Sequence, residues 1–274
     1  MKKFITRTIT GIVLVLVMLT AIVVSPYSYA VLFLLLLIGS LAEFNNLFKQ
    51  SEVKPNQWLI YPISIALFAT SFLVASGTLE IRYFIGLLPL FLVVMTAELY
   101  RKQAKPVENI AVTFLGILYL ALPLSLVNFL VFPDIQPTHS YTPALLIAVF
   151  ALIWIHDSGA YLFGVTMGKH RLFERISPKK SWEGAIGGTL TAILAAWGIA
   201  AFIPEISLTH WIAISVITVV SSTFGDLTES MFKRYFGIKD SGNILPGHGG
   251  FLDRFDSLFF AAPVVVMYLK LVVQ

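Results

Sequence analysis

The sequence contains no cysteine among its 274 residues, so disulfide bonds, thiolate metal sites and a cysteine nucleophile are all excluded. Charged residues are also scarce, at 12% of the chain, whereas an ordinary soluble domain has roughly 25%. Hydrophobic residues make up 57% of the chain. A water-soluble fold of this length needs more polar surface, so the composition predicts an integral membrane protein.

Long apolar runs account for most of the chain. A helix that crosses the hydrocarbon core of a bilayer needs about 20 mostly apolar residues. The runs that meet this requirement lie near residues 5–25, 28–48, 57–77, 81–99, 108–131, 143–165, 184–203, 207–228 and 255–273. They are apolar on every side and do not alternate with a period of two, which favours helices over barrel strands. The expected fold is an all-α, polytopic membrane helical bundle of about nine transmembrane helices.

The predicted organisation has two parts. Residues 1–140 are expected to form about five N-terminal transmembrane helices, and residues 141–274 a C-terminal transmembrane region that holds the polar clusters described below. Pro62, Pro89 and Pro123 fall inside early runs and are expected to kink or shift those helices, which a bilayer bundle tolerates. The first run is expected to be a retained helix rather than a cleaved signal peptide, since another span follows at once.

Basic residues are distributed unevenly between the two sides of the predicted bundle. With nine spans, all but two of the 19 Lys and Arg residues fall in the N-terminal segment or in the loops after spans two, four, six and eight. The exceptions are Arg82 and Lys270. Because Lys and Arg accumulate on the cytoplasmic side, this segment and these loops are predicted to be cytoplasmic. Lys105, in one such loop, is expected to have only this topological role.

Acidic residues in or beside membrane helices are costly and therefore call for an explanation. The first acidic cluster is His156-Asp-Ser-Gly-Ala-Tyr161, in span six. The small residues beside Asp157 would let another helix or a ligand approach closely. Two interpretations stay open for Asp157: a ligand site, and a buried carboxylate paired with a base from a neighbouring helix. His156 alone is typical of a packing residue.

The second cluster, Ile176-Ser-Pro-Lys-Lys-Ser-Trp-Glu-Gly184, opens span seven. Ser177 followed by Pro178 predicts an N-cap and the first residue of a helix. A helix N-terminus attracts anions, and Lys179 and Lys180 would strengthen that attraction. The alternative is that both lysines only follow the topological distribution of positive charge.

The third cluster begins around Asp226. On a helix, Asp226 shares a face with the residues three, four and seven positions later. These are Glu229, Ser230 and Lys233. Two carboxylates, a hydroxyl and an ammonium group suit a hard cation such as Mg²⁺, which takes oxygen ligands.

The same cluster continues to the start of span nine. Asp253 and Asp256 are three residues apart, and His248 lies among glycines that allow close backbone approach. Arg254 offers two parallel donors to a phosphate. Together the three clusters supply carboxylates for a metal, cations for phosphate and a glycine-rich backbone, which indicates phosphoryl or nucleotidyl transfer at the cytoplasmic face.

The stretch from Ser230 to Asp256 resembles the defining motif of the phosphatidate cytidylyltransferases, also called CDP-diacylglycerol synthases. The residues that match its fixed positions are Ser230, Lys233, Arg234, Lys239, Asp240, Gly242, Pro246, His248, Gly249, Gly250, Asp253, Arg254 and Asp256. The segments 157–161 and 177–184 are similar to upstream elements of that family. Ser181 stands where threonine is usual, and little effect is expected because the hydroxyl is kept.

The resemblance implies transfer of cytidylyl from CTP to phosphatidate, giving CDP-diacylglycerol and pyrophosphate for phospholipid synthesis. It implies Mg²⁺ as cofactor, with a second cation left open. Asp226 and Asp253 are the implied metal ligands, and Glu229, Asp256 and Asp157 are further candidates. The expected partners are CTP, phosphatidate and membrane lipid, without nucleic acid, and a homodimer stays open. The expected location is the bacterial inner (plasma) membrane, with the active site facing the cytoplasm.

The mechanism expected for this reaction gives roles to the basic and polar residues. Those expected to bind the substrates are Lys179, Lys180, Ser181, Lys233, Arg234, Lys239 and Arg254. Those expected to act in catalysis are Asp226, Asp253, Lys233 and His248. Donation to the leaving pyrophosphate is one role considered for His248, and its role stays open.

Other classes of membrane protein remain to be separated by experiment. A transporter also carries intramembrane acids, but here they gather at one face and no inverted repeat is visible. A CTP-dependent polyprenol kinase could share such a site and would release CDP rather than pyrophosphate. The CDP-alcohol phosphotransferases require a different aspartate spacing, which the sequence lacks. A purely structural scaffold would not need the third cluster.

Overall fold

The structure is a computed structural model that describes residues 2–133, 140–242, 244, 247 and 249–273, with side chains from residue 8 onward. The α-helices of these residues are α1 Lys2–Val24, α2 Pro26–Leu47, α3 Gln57–Ala75, α4 Leu88–Arg101, α5 Pro106–Gly116, α6 Leu122–Leu126, α7 Asn128–Val131, α8 Ala144–Met167, α9 Trp182–Phe202, α10 Leu208–Tyr235 and α11 Leu252–Tyr268. The strands are β1 Arg171–Phe173 and β2 Ser177–Ser181.

The helices match the lengths that a bilayer requires. Among the described residues, 8 helical segments are long and apolar enough to cross a membrane. The apolar part of α1, Thr8–Val24, is a shorter candidate. The prediction of an all-α, polytopic membrane protein is confirmed, and its count of about nine spans agrees with these helices.

The three early prolines are accommodated in different ways. Pro62 lies inside α3 without ending it. Pro89 lies in the first turn of α4, directly after a 3₁₀ helix, Ile81–Leu87. A π-helical turn, Ile117–Ala121, precedes Pro123. Proline has no N–H to donate and its ring crowds the preceding turn, so a helix start or a widened turn accommodates it.

The chain folds into two compact units. Unit 1 comprises the chain up to Pro133 together with Tyr141 and Asp240–Arg254, and unit 2 comprises Thr142–Lys239 and the chain from Phe255 onward. The predicted division near residue 140 stays a prediction. Asp240–Arg254, which holds much of the third cluster, groups with the early helices.

Buried hydrogen bonds join the helices of unit 1. The Tyr29 hydroxyl of α2 donates to Asn128 Oδ1 of α7 at 2.9 Å. Ser71 Oγ of α3 donates to the carbonyl oxygen of Ser125 in α6. Polar side chains buried among apolar ones need such partners, and in a membrane bundle these bonds hold helices together.

A second polar network of unit 1 surrounds Glu98 of α4, whose exposed fraction is only 5%. Arg101 Nη1 donates to Glu98 Oε2, and Asn109 Nδ2 of α5 donates to Oε1, both at 2.7 Å. Arg101 also donates to the Lys54 carbonyl oxygen at 3.1 Å. The Lys54 N–H donates to Asn109 Oδ1 at 2.6 Å. The network therefore ties α4 and α5 to the loop before α3.

We expect Glu98→Gln to destabilise the protein by about 1–3 kcal/mol, because an amide cannot accept on both sides from Arg101 and Asn109. The measurement is thermal unfolding of the purified protein in detergent. The matched control is Glu52→Gln, whose pair with Lys105 is at the surface, with Glu52 75% exposed; its expected effect is below about 1 kcal/mol. Equal unfolding temperatures for the two variants would contradict this assignment.

Helices α8 and α9 of unit 2 pack closely through glycine. A Cβ added at Gly188 would lie 2.7 Å from the His156 carbonyl oxygen, and one added at Gly184 would lie 2.7 Å from that of Ala160. No side chain fits at these positions without moving a backbone. On the α8 side, a Cβ added at Gly159 would lie 3.1 Å from the α-carbon of Gly188. The prediction that small residues beside Asp157 allow close approach is confirmed, and the element that approaches is α9.

The prediction that Ser177 caps a helix and Pro178 begins it is wrong. Both residues belong to β2, which pairs antiparallel with β1. Helix α9 begins at Trp182, and its N-cap is Ser181, whose Oγ accepts from the Gly184 N–H at 3.1 Å. Ladder bonds to β1 hold the earlier serine extended, so the serine at the end of β2 takes the capping position.

Helix α11 lies against the backbone of α10 within unit 2. A Cβ added at Gly225 of α10 would lie 2.5 Å from the Asp256 carbonyl oxygen and 3.2 Å from the α-carbon of Ser257. Glycine therefore allows this close packing, which brings the side chains next to Gly225 near α11.

Candidate active site

Among the described residues, a carboxylate cluster of unit 2 joins α10 to α11. Asp226, Glu229 and Asp256 each offer an oxygen, and these oxygens lie within 4.8 Å of one another. Their spacing places the first two on one face of α10. Glu229 and Asp256 are almost fully buried, at 3% and 9% exposed. The Ser257 N–H donates to Asp256 Oδ1 at 2.7 Å.

Ammonium groups lie against this cluster. Lys180 Nζ, at the end of β2, is 2.5 Å from Asp226 Oδ2. Lys233 Nζ, one turn along α10, is 2.5 Å from Glu229 Oε2. Ser230 Oγ donates to Asp226 Oδ1 at 3.3 Å. The structure thus brings the predicted residues Asp226, Glu229, Ser230 and Lys233 together. It also places Lys180 of the hairpin, a predicted substrate-binding residue, against Asp226.

A cavity of about 510 Å³ in unit 2 opens beside the Lys180–Asp226 pair, a volume typical of small-molecule sites. Asp157 of α8 and Lys179 contribute to its polar wall. The residues that complete its lining are His156, Ala160, Tyr161, Gly164, Val165, Arg171, Leu172, Pro178, Ser181, Gly184, Ala185 and Thr223. The cavity therefore has both charged and apolar walls.

Arg171 of β1 lines the same cavity and was not among the predicted site residues. It was counted only as a topological charge. The sequence did contain a signal for Arg171, because it lies in the same loop as Lys179 and Lys180. A short hairpin brings the two ends of such a loop together.

The remaining predicted cations lie on α10, after it and on α11. Arg234, near the end of α10, donates through Nε to the Ile176 carbonyl oxygen at 3.5 Å. Lys239 is exposed after the end of α10 in unit 2, and Arg254 is exposed in the first turn of α11. The predicted catalytic residue His248 lies outside the described residues.

Asp253, the other implied metal ligand, lies in unit 1 and organises the turn before α11. Its Oδ2 accepts from the Ser241 N–H at 3.0 Å, from Ser241 Oγ at 2.9 Å and from the Gly250 N–H at 2.8 Å. Gly249 beside it has φ +81°, in the left-handed region that favours glycine. All three bonds reach one carboxylate oxygen, so they orient the Asp253 side chain.

Glu43 of α2 is a further acidic residue that contacts this turn, and it was not among the predicted site residues. Its exposed fraction is 1%. Its carboxylate accepts from the Phe251 and Leu252 N–H groups, both at 2.9 Å. The available signal was a carboxylate inside an otherwise apolar span, the same criterion that selected Asp157.

The chemistry of the unit 2 cluster fits a divalent cation. Its donors are all oxygens, which suits Mg²⁺ rather than a softer metal. Three carboxylates outnumber the two ammonium groups, Lys180 and Lys233, that contact them. Asp226 belongs both to this cluster and to the ligand pair implied by the resemblance, so it is the residue on which both assignments agree.

The fold and site define a polytopic membrane protein with a carboxylate–lysine site beside a helical cavity. The chain belongs to the Cytidylyltransferase family, whose model matches residues 5–272.

Curated relatives agree with this family. The chain is 51% identical over 124 residues, or 43% of its length, to a phosphatidate cytidylyltransferase of Haemophilus influenzae. It is 38% identical over 183 residues, or 66% of its length, to one of Staphylococcus epidermidis, and 47% identical over 122 residues, or 44%, to one of Staphylococcus aureus. The matched stretches span 43%, 66% and 46% of the relatives' own lengths.

Proposed function

We propose that the protein transfers the cytidylyl group of CTP to phosphatidate, forming CDP-diacylglycerol and pyrophosphate. Family membership and the names of its relatives support this proposal. The observation that carries it is the Lys180–Asp226 pair, at 2.5 Å, in the wall of the cavity and joined to the carboxylate cluster. Cations for phosphate and oxygen ligands for a metal therefore meet in one place.

The walls of the cavity suit an amphipathic substrate. Tyr161 and Val165 of α8 line it and are 74% and 69% exposed, on a helix that is apolar enough to span the membrane. Lys179 and Lys180 line it as well. A lipid phosphate can pair with the lysines while its acyl chains remain beside the apolar residues.

The reaction needs little activation of the nucleophile. An oxygen of the phosphatidate phosphate attacks the α-phosphorus of CTP and forms a new P–O bond. The bond from that phosphorus to the bridging oxygen of the β-phosphate breaks, and pyrophosphate leaves with the electron pair. Lys180 and Lys233 are placed to balance negative charge near the carboxylates. Lys179, Arg234, Lys239 and Arg254 are further proposed phosphate contacts.

We propose Mg²⁺ as the cofactor, with Asp226, Glu229 and Asp256 as the residues that would hold it. Asp253 is retained as a proposed ligand on the ground of the family resemblance. Such an ion supplies positive charge to phosphate oxygens in transfer reactions. Asp157, which lines the cavity, remains a further candidate ligand.

The proposed location is a bacterial inner membrane with the site facing the cytoplasm. The uneven distribution of Lys and Arg supports this orientation. The relatives described above are bacterial proteins.

The proposal is tested by incubating the purified protein with labelled CTP, phosphatidate and Mg²⁺. We expect a labelled lipid and one pyrophosphate per turnover, and no turnover after chelation with EDTA. Release of CDP instead of pyrophosphate would identify a kinase. Movement of a tracer across sealed vesicles without CTP turnover would identify a transporter, and either outcome would overturn the proposal.

A further inference from the structure

We infer that Glu43 is a positioning residue for the signature turn, which is defined here as the described residues Asp240–Gly242 and Gly249–Asp253. This turn carries Asp253 and leads into α11. The inference concerns unit 1 alone. It rests on the proposed function only in the experiment that measures turnover, and the hydrogen-exchange experiment is independent of that function.

Glu43 contacts both ends of the signature turn. Its two carboxylate oxygens accept the N–H groups of Phe251 and Leu252, both at 2.9 Å. Ser241 Oγ lies 3.4 Å from Glu43 Oε2 and also donates to Asp253 Oδ2 at 2.9 Å. Ser241 therefore lies between the two carboxylates, and a shift of Glu43 would be transmitted to Asp253.

The position of Glu43 also explains two glycines of the motif. A Cβ added at Gly242 would lie 2.5 Å from Glu43 Oε1, and one added at Gly250 would lie closer still to the same carboxylate. Any side chain at either position would displace the carboxylate. The glycines are needed because the acid occupies the space beside the backbone.

Backbone donors offset part of the cost of burying the Glu43 carboxylate in an apolar setting. A buried carboxylate in a membrane helix is costly unless donors compensate it. Here the donors are N–H groups at the start of α11, where the first turn lacks partners within the helix and the helix dipole favours negative charge. An acid of α2 thus takes the place of a local cap for α11.

The first test compares Glu43→Gln with Glu98→Gln, the other buried carboxylate of unit 1 described above. An amide at 43 can accept only one of the two backbone N–H groups and carries no charge. We expect turnover to fall and the Mg²⁺ concentration for half-maximal activity to rise by about 10- to 100-fold, as when a residue that orients a metal ligand is changed. Glu98→Gln should lower the unfolding temperature and leave the Mg²⁺ requirement unchanged.

The second test does not depend on activity. Amide hydrogen exchange of the peptide containing Phe251 and Leu252 should be faster in Glu43→Gln than in wild type, and unchanged in Glu98→Gln. Gly250→Ala should produce the same faster exchange. In a Glu43→Ala background, Gly250→Ala should increase the exchange rate little further, because the carboxylate that its side chain would displace is absent.

Each outcome decides between the alternatives. Unchanged exchange in Glu43→Gln overturns the inference, and so do additive effects of Gly250→Ala and Glu43→Ala. Equal increases in exchange and Mg²⁺ requirement in Glu43→Gln and Glu98→Gln would show a merely structural role and also overturn it. If wild type makes no CDP-diacylglycerol, the proposed function fails, and the exchange measurements still decide the role of Glu43.

Discussion

We expect Asp226→Asn to reduce cytidylyl transfer by about 100- to 1,000-fold, the range seen when one charge-stabilising group is removed from an active site. Asp226 contacts Lys180 at 2.5 Å and shares its cluster with Glu229 and Asp256. The amide keeps the size of the side chain but removes its charge and one acceptor oxygen. The measurement is the initial rate of labelled lipid formation at saturating CTP and phosphatidate.

The control for this variant is Glu205→Gln, an exposed acid in the loop between α9 and α10. Glu205→Gln changes the net charge by the same amount as Asp226→Asn. Because Glu205 is not one of the site residues, the transfer rate of this variant should equal that of wild type. Unfolding temperatures of both variants should be measured alongside. A rate near wild type for Asp226→Asn would refute both metal assignments, because Asp226 is common to them.

The second large effect is expected for Asp256→Asn, which should reduce the rate of cytidylyl transfer about as much as Asp226→Asn does. Asp256 of α11 is held next to α10 through Gly225 and is almost fully buried. If both aspartates hold the same ion, the double variant should be little worse than the worse single variant, since residues acting as a unit are not additive. If the fold-losses in rate of the two single variants instead multiply in the double variant, the two aspartates do not hold the same ion.

Amide hydrogen exchange separates the role of Asp256 in the carboxylate cluster from the role of Asp253 in the signature turn. Asp253 accepts three bonds from Ser241 and Gly250, so Asp253→Asn should speed exchange of the signature turn. Asp256→Asn should leave that exchange unchanged, because its described backbone bond is to Ser257. Faster exchange in both variants would show that Asp256 also supports the turn.

Much of the candidate site follows from local rules. Asp226, Glu229, Ser230 and Lys233 share a helix face because their spacing matches the helical period, and α10 continues through all four. Each long apolar run became a helical segment, in some cases made of consecutive helices, since a membrane span needs a minimum apolar length whatever its neighbours are. Local composition also pointed to the small residues that let α9 approach α8.

Predictions that depended on partners distant in the sequence were less complete. Ser177 looked like a cap, but strand pairing with β1 holds it extended and leaves the cap to Ser181. Arg171 looked like a topological charge, but the hairpin places it in the cavity wall. Glu43 was not selected, although its partner Phe251 lies 208 positions later.

The sequence by itself determined that this is a helical membrane protein, where its spans lie and which polar segments hold the candidate site residues. These features depend on hydrophobic length and helical period, which neighbouring residues set. Only the tertiary structure decided that Asp256 joins Asp226 and Glu229, that Lys180 contacts Asp226, and that Glu43 holds the turn before α11. Such contacts depend on how close two helix backbones can come and on which donors a buried charge meets, and one stretch of sequence contains neither.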